Sequence, residues 1–114
     1  MRALERSAAN GHVRVALAIV TYDSERHLDD CLRSLRACDR EGMSLNVIVV
    51  DNASRDATAG RVRRDFPEVL LVERPRNEGF AAANNVGIRL AAEWGAEFMY
   101  ADVYHTVIHV ADHG

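Results

Sequence analysis

Lysine is absent from this chain: all 14 cationic side chains are arginine. A phosphate loop ending in Gly-Lys-Ser/Thr is thereby excluded, and with it P-loop NTPase chemistry. Cysteine is scarce. Cys31 and Cys38 fall seven residues apart on one expected helix, roughly 10 Å between Cα atoms and too far to bridge. No disulfide scaffold is expected, and Cys31 sits in an apolar stripe as core filler. Long hydrophobic runs are missing too. The longest, Val15–Val20, is far short of the ~20 residues that cross a bilayer. Met1–Arg6 has no signal-peptide core, so a cytoplasmic location is expected. Nor is there an excess of positive charge. A net charge of −3 gives no electrostatic footprint for nucleic acid or an anionic membrane.

What is present is ordinary for one soluble domain: 114 residues, 48% hydrophobic and 27% charged, enough to bury a real core. The organising stretch is Val47-Ile48-Val49-Val50-Asp51-Asn52-Ala53-Ser54-Arg55-Asp56. A β-branched run without polar alternation reads as a strand covered on both faces, as in a parallel sheet. Asp51 and Asn52 then fall at its carboxyl end, where open α/β sheets place ligands. Ser54 or Asp56 is positioned to cap the next helix.

Residues 1–12 read as a flexible leader. Val13–Thr21 is a first strand with Tyr22 and Asp23 at its tip. Asp23 or Ser24 caps a helix whose apolar positions Leu28, Cys31, Leu32 and Leu35 keep helical spacing. A turn over 38–44 leads to a second strand, Leu45–Val50. A second helix, Asp56–Asp65, stops before Pro67. Val69–Glu73 is a third strand, and 74–79 is a loop carrying Pro75 and Gly79. Phe80–Glu93 is a third helix, in which Gly87 permits close packing. A fourth strand begins at Glu97. The order β-α-β-α-β-α-β predicts a three-layer α/β/α fold with a parallel sheet. Its strand tips gather Thr21, Tyr22, Asp23, Asp51, Asn52 and the 74–80 loop on one edge. The dinucleotide pattern Gly-x-Gly-x-x-Gly is missing after the first strand, which argues against a dehydrogenase. An aromatic ring, two acids and main-chain amides on one rim suit a nucleoside.

These residues resemble a known family. Thr21-Tyr22-Asp23-Ser24 after its strand, Asp51-Asn52-Ala53-Ser54-Arg55-Asp56, and Asn77-Glu78-Gly79-Phe80-Ala81-Ala82-Ala83-Asn84-Asn85 look like the inverting family 2 glycosyltransferases of the GT-A fold. The third motif is most similar to the rhamnosyltransferase-like branch, which uses dTDP- or UDP-sugars. The resemblance covers roughly 13–100 and assigns 13–101 as the nucleotide-binding domain. It implies that Thr21 and Tyr22 line the base pocket and that Asp51 meets the pyrimidine N–H or ribose. It also implies that Asn77, Gly79, Phe80 and Asn84 close over the nucleoside. Asp23 stands where the family more often has Asn, which keeps a cap and adds charge near a diphosphate. Arg74 and Arg76 are candidates to neutralise phosphate.

The pattern breaks at the C-terminus. The family's fourth strand ends in an acidic motif, often Asn-Pro-Asp-Thr in this branch, that holds Mg²⁺ or Mn²⁺. Here Met99-Tyr100-Ala101-Asp102-Val103-Tyr104 stands instead, with Asp102 as a single metal candidate. The acceptor half and its base have no counterpart, a break that a truncated or frame-shifted reading frame, or a fragment, would produce. Residues 102–114 read as an atypical, solvated tail. Its His105, His109 and His113 would share one face of a helix and form a metal site there, although the neighbouring valines favour strand. The reading is therefore a nucleotide-binding half that takes a nucleotide-diphosphate sugar for inverting transfer to a glycan or lipid-linked acceptor, inactive alone. The alternative is a non-catalytic nucleotide-binding remnant or interaction fragment. An uncovered fourth-strand edge would invite self-association.

Overall fold

Side chains of consecutive strand residues point to opposite faces, and both faces of the central strands here are apolar. The computed structural model describes residues 13–38, 41–103 and 106–112, with side chains described for 13–38 and 41–99. Its elements run β1 (Val13–Thr21), α1 (Glu25–Ala37), β2 (Met43–Asp51), α2 (Thr58–Asp65), β3 (Leu70–Glu73), α3 (Phe80–Trp94), β4 (Phe98–Val103) and β5 (Thr106–Asp112). The sheet order is β3-β2-β1-β4-β5. β1 pairs in parallel with β2 and β4, and β2 with β3.

Even-numbered residues Ala16, Val20, Ile48 and Val50 face one layer, packed with Ala83 and Ala91 of α3 and with Met99. Odd-numbered Ile19, Val47 and Val49 face the other, packed with Leu28 and Leu32 of α1, Val62 of α2 and Phe66. Each fully buried side chain of this size contributes about 1.5–3 kcal/mol. The small residues of β1 let α3 approach closely. A Cβ on Gly87 would lie 2.8 Å from Cβ of Ala18. On the opposite layer, Arg36 covers the Phe66 ring, its guanidinium carbon 4.6 Å from the centroid.

The strands extend slightly beyond expectation, with β2 starting at Met43 rather than Leu45 and β4 reaching Val103. The larger correction is β5. It pairs antiparallel with β4, from Phe98↔Asp112 to Val103↔Thr106, so β4 is not the last strand. The edge expected to be open is covered, which removes the premise for self-association through it. Residues 106–112 form sheet rather than a solvated tail, because valines and isoleucine suit a pleated surface beside β4. His109 lies on a strand opposite Tyr100, while His105 and His113 lie outside the described residues. Among the described residues, no helix is long and apolar enough to cross a membrane.

Candidate functional site

β1 and β2 end level with each other, Thr21 in register with Asp51. The ladder runs one step further, the Asn52 N–H donating to the Thr21 carbonyl at 2.8 Å. Asp51 is 2% exposed. Its Oδ1 accepts from the Thr21 hydroxyl at 2.7 Å and the Ser54 hydroxyl at 2.5 Å, and its Oδ2 accepts the Ser54 N–H at 2.9 Å. A buried carboxylate with three donors is well compensated for leaving water. The pleat explains its direction: Asp51 falls on the face of Val47 and Val49, beneath α1 and α2.

Above it, the β1–α1 and β2–α2 loops exchange caps. Three successive N–H groups of the first loop, Asp23, Ser24 and Glu25, donate to Ser54 Oγ, Thr58 Oγ1 and Asp56 Oδ2. In return, the N–H groups of Arg55 and Ala57 donate to Asp23 Oδ1 and Glu25 Oε1. The Glu25 N–H, first of the donors at the start of α1, is thereby satisfied from another loop. Ser24 occupies the N-cap position of α1 without a capping bond. Its hydroxyl turns back instead, accepting from the Tyr22 N–H and donating to the Tyr22 carbonyl. Asp56 accepts the N–H and hydroxyl of Thr58 at the start of α2. Asp23 and Ala53 both adopt positive φ, 48° and 63°, in the left-handed region where Asp is tolerated better than most residues.

The Arg55 guanidinium forks onto Asp23 Oδ2 at 3.1 and 3.3 Å and sits 5.7 Å from the Tyr22 ring centroid. The Arg55 main-chain N–H, followed by its side chain, holds the Asp23 carboxyl below its ordinary value against a partial desolvation penalty. The side-chain bond to Asp23, with Tyr22 adding to it, raises Arg55.

Beside these loops is a cleft of about 180 Å³ lined by Val20, Thr21, Tyr22, Asn52, Asn77, Gly79 and Phe80. Asn52 is 3% exposed. Its Nδ2 donates to the Gly79 carbonyl at 3.0 Å, while its Oδ1 is buried without a partner. Gly79 has φ 96°, which lets the chain turn from the loop into α3 at no steric cost. Asn77 Oδ1 accepts the Gly79 N–H at 2.8 Å, bracing the same turn. Phe80 remains 40% exposed at the cleft mouth.

Of the residues singled out from sequence, the cleft gathers Thr21, Tyr22, Asn52, Asn77, Gly79 and Phe80. Asp51, Asp23 and Asn84 are outside its lining: Asp51 bonds Thr21 from the α1 and α2 face, Asp23 pairs with Arg55, and Asn84 lies further along α3. Arg74 and Arg76 both pair with Glu78. Asp102 lies in β4 opposite Ile19. Sequence reasoning missed the loop-binding roles of Ser54 and Thr58 and the contact of Arg55 with Tyr22. The acid at Asp23 and the base at Arg55 are the charge signal that could have linked the two loops.

The chain matches the family described as Glycosyl transferase family 2 over residues 16–106. It is 40% identical over 81 residues to the dTDP-rhamnosyl transferase RfbF of Shigella flexneri, covering 69% of this chain and 25% of that protein. It is 35% identical over 79 residues to the succinoglycan biosynthesis protein ExoO of Rhizobium meliloti, covering 68% and 22%. The mannosyltransferase PcManGT from Pyrobaculum calidifontis, solved in complex with GDP-Man and Mn²⁺, superposes with TM-score 0.68 at 30% identity over 81% of this chain and 27% of that one. A fragment of S. aureus TarS in complex with UDP-GlcNAc superposes with TM-score 0.68 at 26% identity, covering 80% and 26%. This chain spans about a quarter of each of these proteins. The four parallel strands with helices on both faces superpose on these structures, and the chain belongs to glycosyl transferase family 2.

Proposed function

We propose that residues 13–101 form the donor-nucleoside half of an inverting glycosyltransferase, taking a dTDP- or UDP-sugar for transfer to a glycan or lipid-linked acceptor. The observation that carries this is Asn52. Asn52 lines a cleft bordered by Tyr22 and Phe80 and carries a buried amide oxygen without a partner, an acceptor suited to a flat ring bearing an N–H donor. The N3–H edge of uracil or thymine fits, with the ring stacked on an aromatic wall. At 180 Å³ the cleft is smaller than the roughly 300–1,000 Å³ of sites that bury a whole ligand. It suits the base, with the sugar and acceptor reaching beyond these residues.

Thr21, Tyr22, Asn52, Asn77, Gly79 and Phe80 are the assigned contacts, and Asp51 holds Thr21 and Ser54 in place from the α1 and α2 face. Asp23 and Asn84 are assigned to the rim and the sugar side. Mg²⁺ or Mn²⁺ is the family's expected aid to the diphosphate, with Asp102 as the candidate ligand. The donor set does not fit that role by itself. A hard cation takes six or more oxygens, and β4 brings one carboxylate, so no step is assigned to a metal here.

The test is an NMR titration of the full chain with UDP, dTDP and ADP. Shifts at Tyr22, Asn52, Gly79 and Phe80 are expected for the two pyrimidines, and Asn52→Leu should abolish them. Equal binding of ADP, or no shifts at millimolar pyrimidine nucleotide, would overturn the assignment.

A further inference from the structure

We propose that Arg55 is a positioning residue that fixes the Tyr22 ring as a rigid wall of the cleft and thereby raises affinity for a planar base. The proposal rests on the nucleoside reading of that cleft and adds to it a residue outside the cleft lining. Tyr22 is anchored at its main chain, since both its N–H and its carbonyl bond to Ser24 Oγ. Those bonds leave its side-chain torsions to be set by whatever packs on the ring. Arg55 packs there, 5.7 Å from the centroid and within the ~6 Å at which a guanidinium is attracted to an aromatic face.

The guanidinium is itself held in place. Asp23 follows Tyr22 directly, and its position is locked by its own N–H on Ser54 Oγ at 2.8 Å. It binds Arg55 through one main-chain and two side-chain donors. Ser54 is tied in turn to the buried Asp51. A continuous set of bonds therefore runs from the sheet to the ring: Asp51, Ser54, Asp23, Arg55, Tyr22. An exposed ion pair contributes little to stability, and the Arg55 side chain is 79% exposed. A ring frozen in the stacking orientation, by contrast, gives up less freedom when a base arrives. That gain is where the pair would act.

The experiment uses the full chain with Arg55→Met, which keeps length and removes charge, and Arg55→Lys, which keeps charge. Tyr22 ring protons are assigned with Tyr22→Phe. Arg55→Met is expected to shift the Tyr22 ring protons in the ligand-free chain and to weaken UDP and dTDP binding about two- to fivefold. Ser54 and Thr58 amide signals should stay in place, because the main-chain bond to Asp23 survives the substitution. Arg55→Lys is expected to fall between wild type and Arg55→Met. Unmoved Tyr22 ring protons in Arg55→Met, or moved ones with unchanged affinity, would overturn the proposal, as would Arg55→Lys binding as weakly as Arg55→Met. A wild-type chain that binds neither nucleotide while Arg55→Met still moves the ring would support the positioning and overturn the nucleoside reading.

Discussion

Asp51 accepts both the main-chain N–H and the hydroxyl of Ser54, at 2.9 and 2.5 Å, so the acid at the tip of β2 is turned into its own loop. Removing it leaves the Thr21 hydroxyl and the Ser54 N–H without their acceptor in a buried setting. Asp51→Ala is therefore expected to lower stability by roughly 3 kcal/mol, read as an earlier midpoint in urea. An Asp51→Ala chain that unfolds at the wild-type urea concentration yet loses nucleotide binding would show that the carboxylate serves ligand rather than fold.

Thr58 is 1% exposed and accepts the Ser24 N–H at 3.0 Å from a residue 34 positions away. Thr58→Val keeps the shape and removes that acceptor. The loss of a cap costs about 0.5–2 kcal/mol. Amide exchange at Ser24 and Glu25 should quicken more than exchange within α2, since the damage falls on the helix being capped in trans. Faster exchange confined to α2 would mean that Thr58 acts only on its own helix.

The apolar runs of β1 and β2 declared a sheet covered on both sides, and the stripe Leu28, Leu32, Leu35 declared the helix beside it. That the tips of β1 and β2 gather on one edge followed from strand ends alone. The direction of Asp51 did not, although the signal was there. In a pleat of period two, Asp51 shares a face with Val49, and Asn52 shares one with Val50. That parity sends the acid under α1 and α2 and leaves Asn52 beside α3, where the cleft lies. The cap exchange was hidden for another reason. Ser54, Asp56 and Thr58 have local uses at a helix start, and only the packed loops show that partners more than 30 residues away use them as well. β5 was obscured because nearly all of it lies past the residues that match the family and pairing with β4 is decided by tertiary contact rather than by local spacing.

Gly87 separates propensity from packing. Alanine is the better helix former by about 1 kcal/mol, yet a Cβ at this position would come within 2.8 Å of Cβ of Ala18, a rigid neighbour that cannot swing aside. Lifting α3 off β1 to relieve it costs about 1–3 kcal/mol. Gly87→Ala should therefore destabilise the chain, and adding Ala18→Gly should recover part of the loss. Thermal melts of the two single variants and the double variant check this. Additive losses would mean that the two positions do not meet.

Asp23 gives the loops a defined acid limit. Its carboxyl titrates below the ordinary 3.8 because the Arg55 main-chain N–H, first among several donors, favours the charged form. A carboxyl depressed on folding adds stability that is present above its unfolded value and is lost as pH falls through the folded one. The contacts among Asp23, Arg55 and Tyr22 should therefore hold unchanged from neutral pH down to about 3.8 and loosen only below it. Carboxyl carbon shifts of Asp23, followed together with the Tyr22 ring protons, report both events. Because the largest contribution comes from the main chain, Arg55→Met should leave Asp23 still titrating below 3.8, with the ring already displaced at neutral pH. Asp23 returning to its ordinary value in Arg55→Met would show that the guanidinium, not the main-chain N–H, governs the carboxylate.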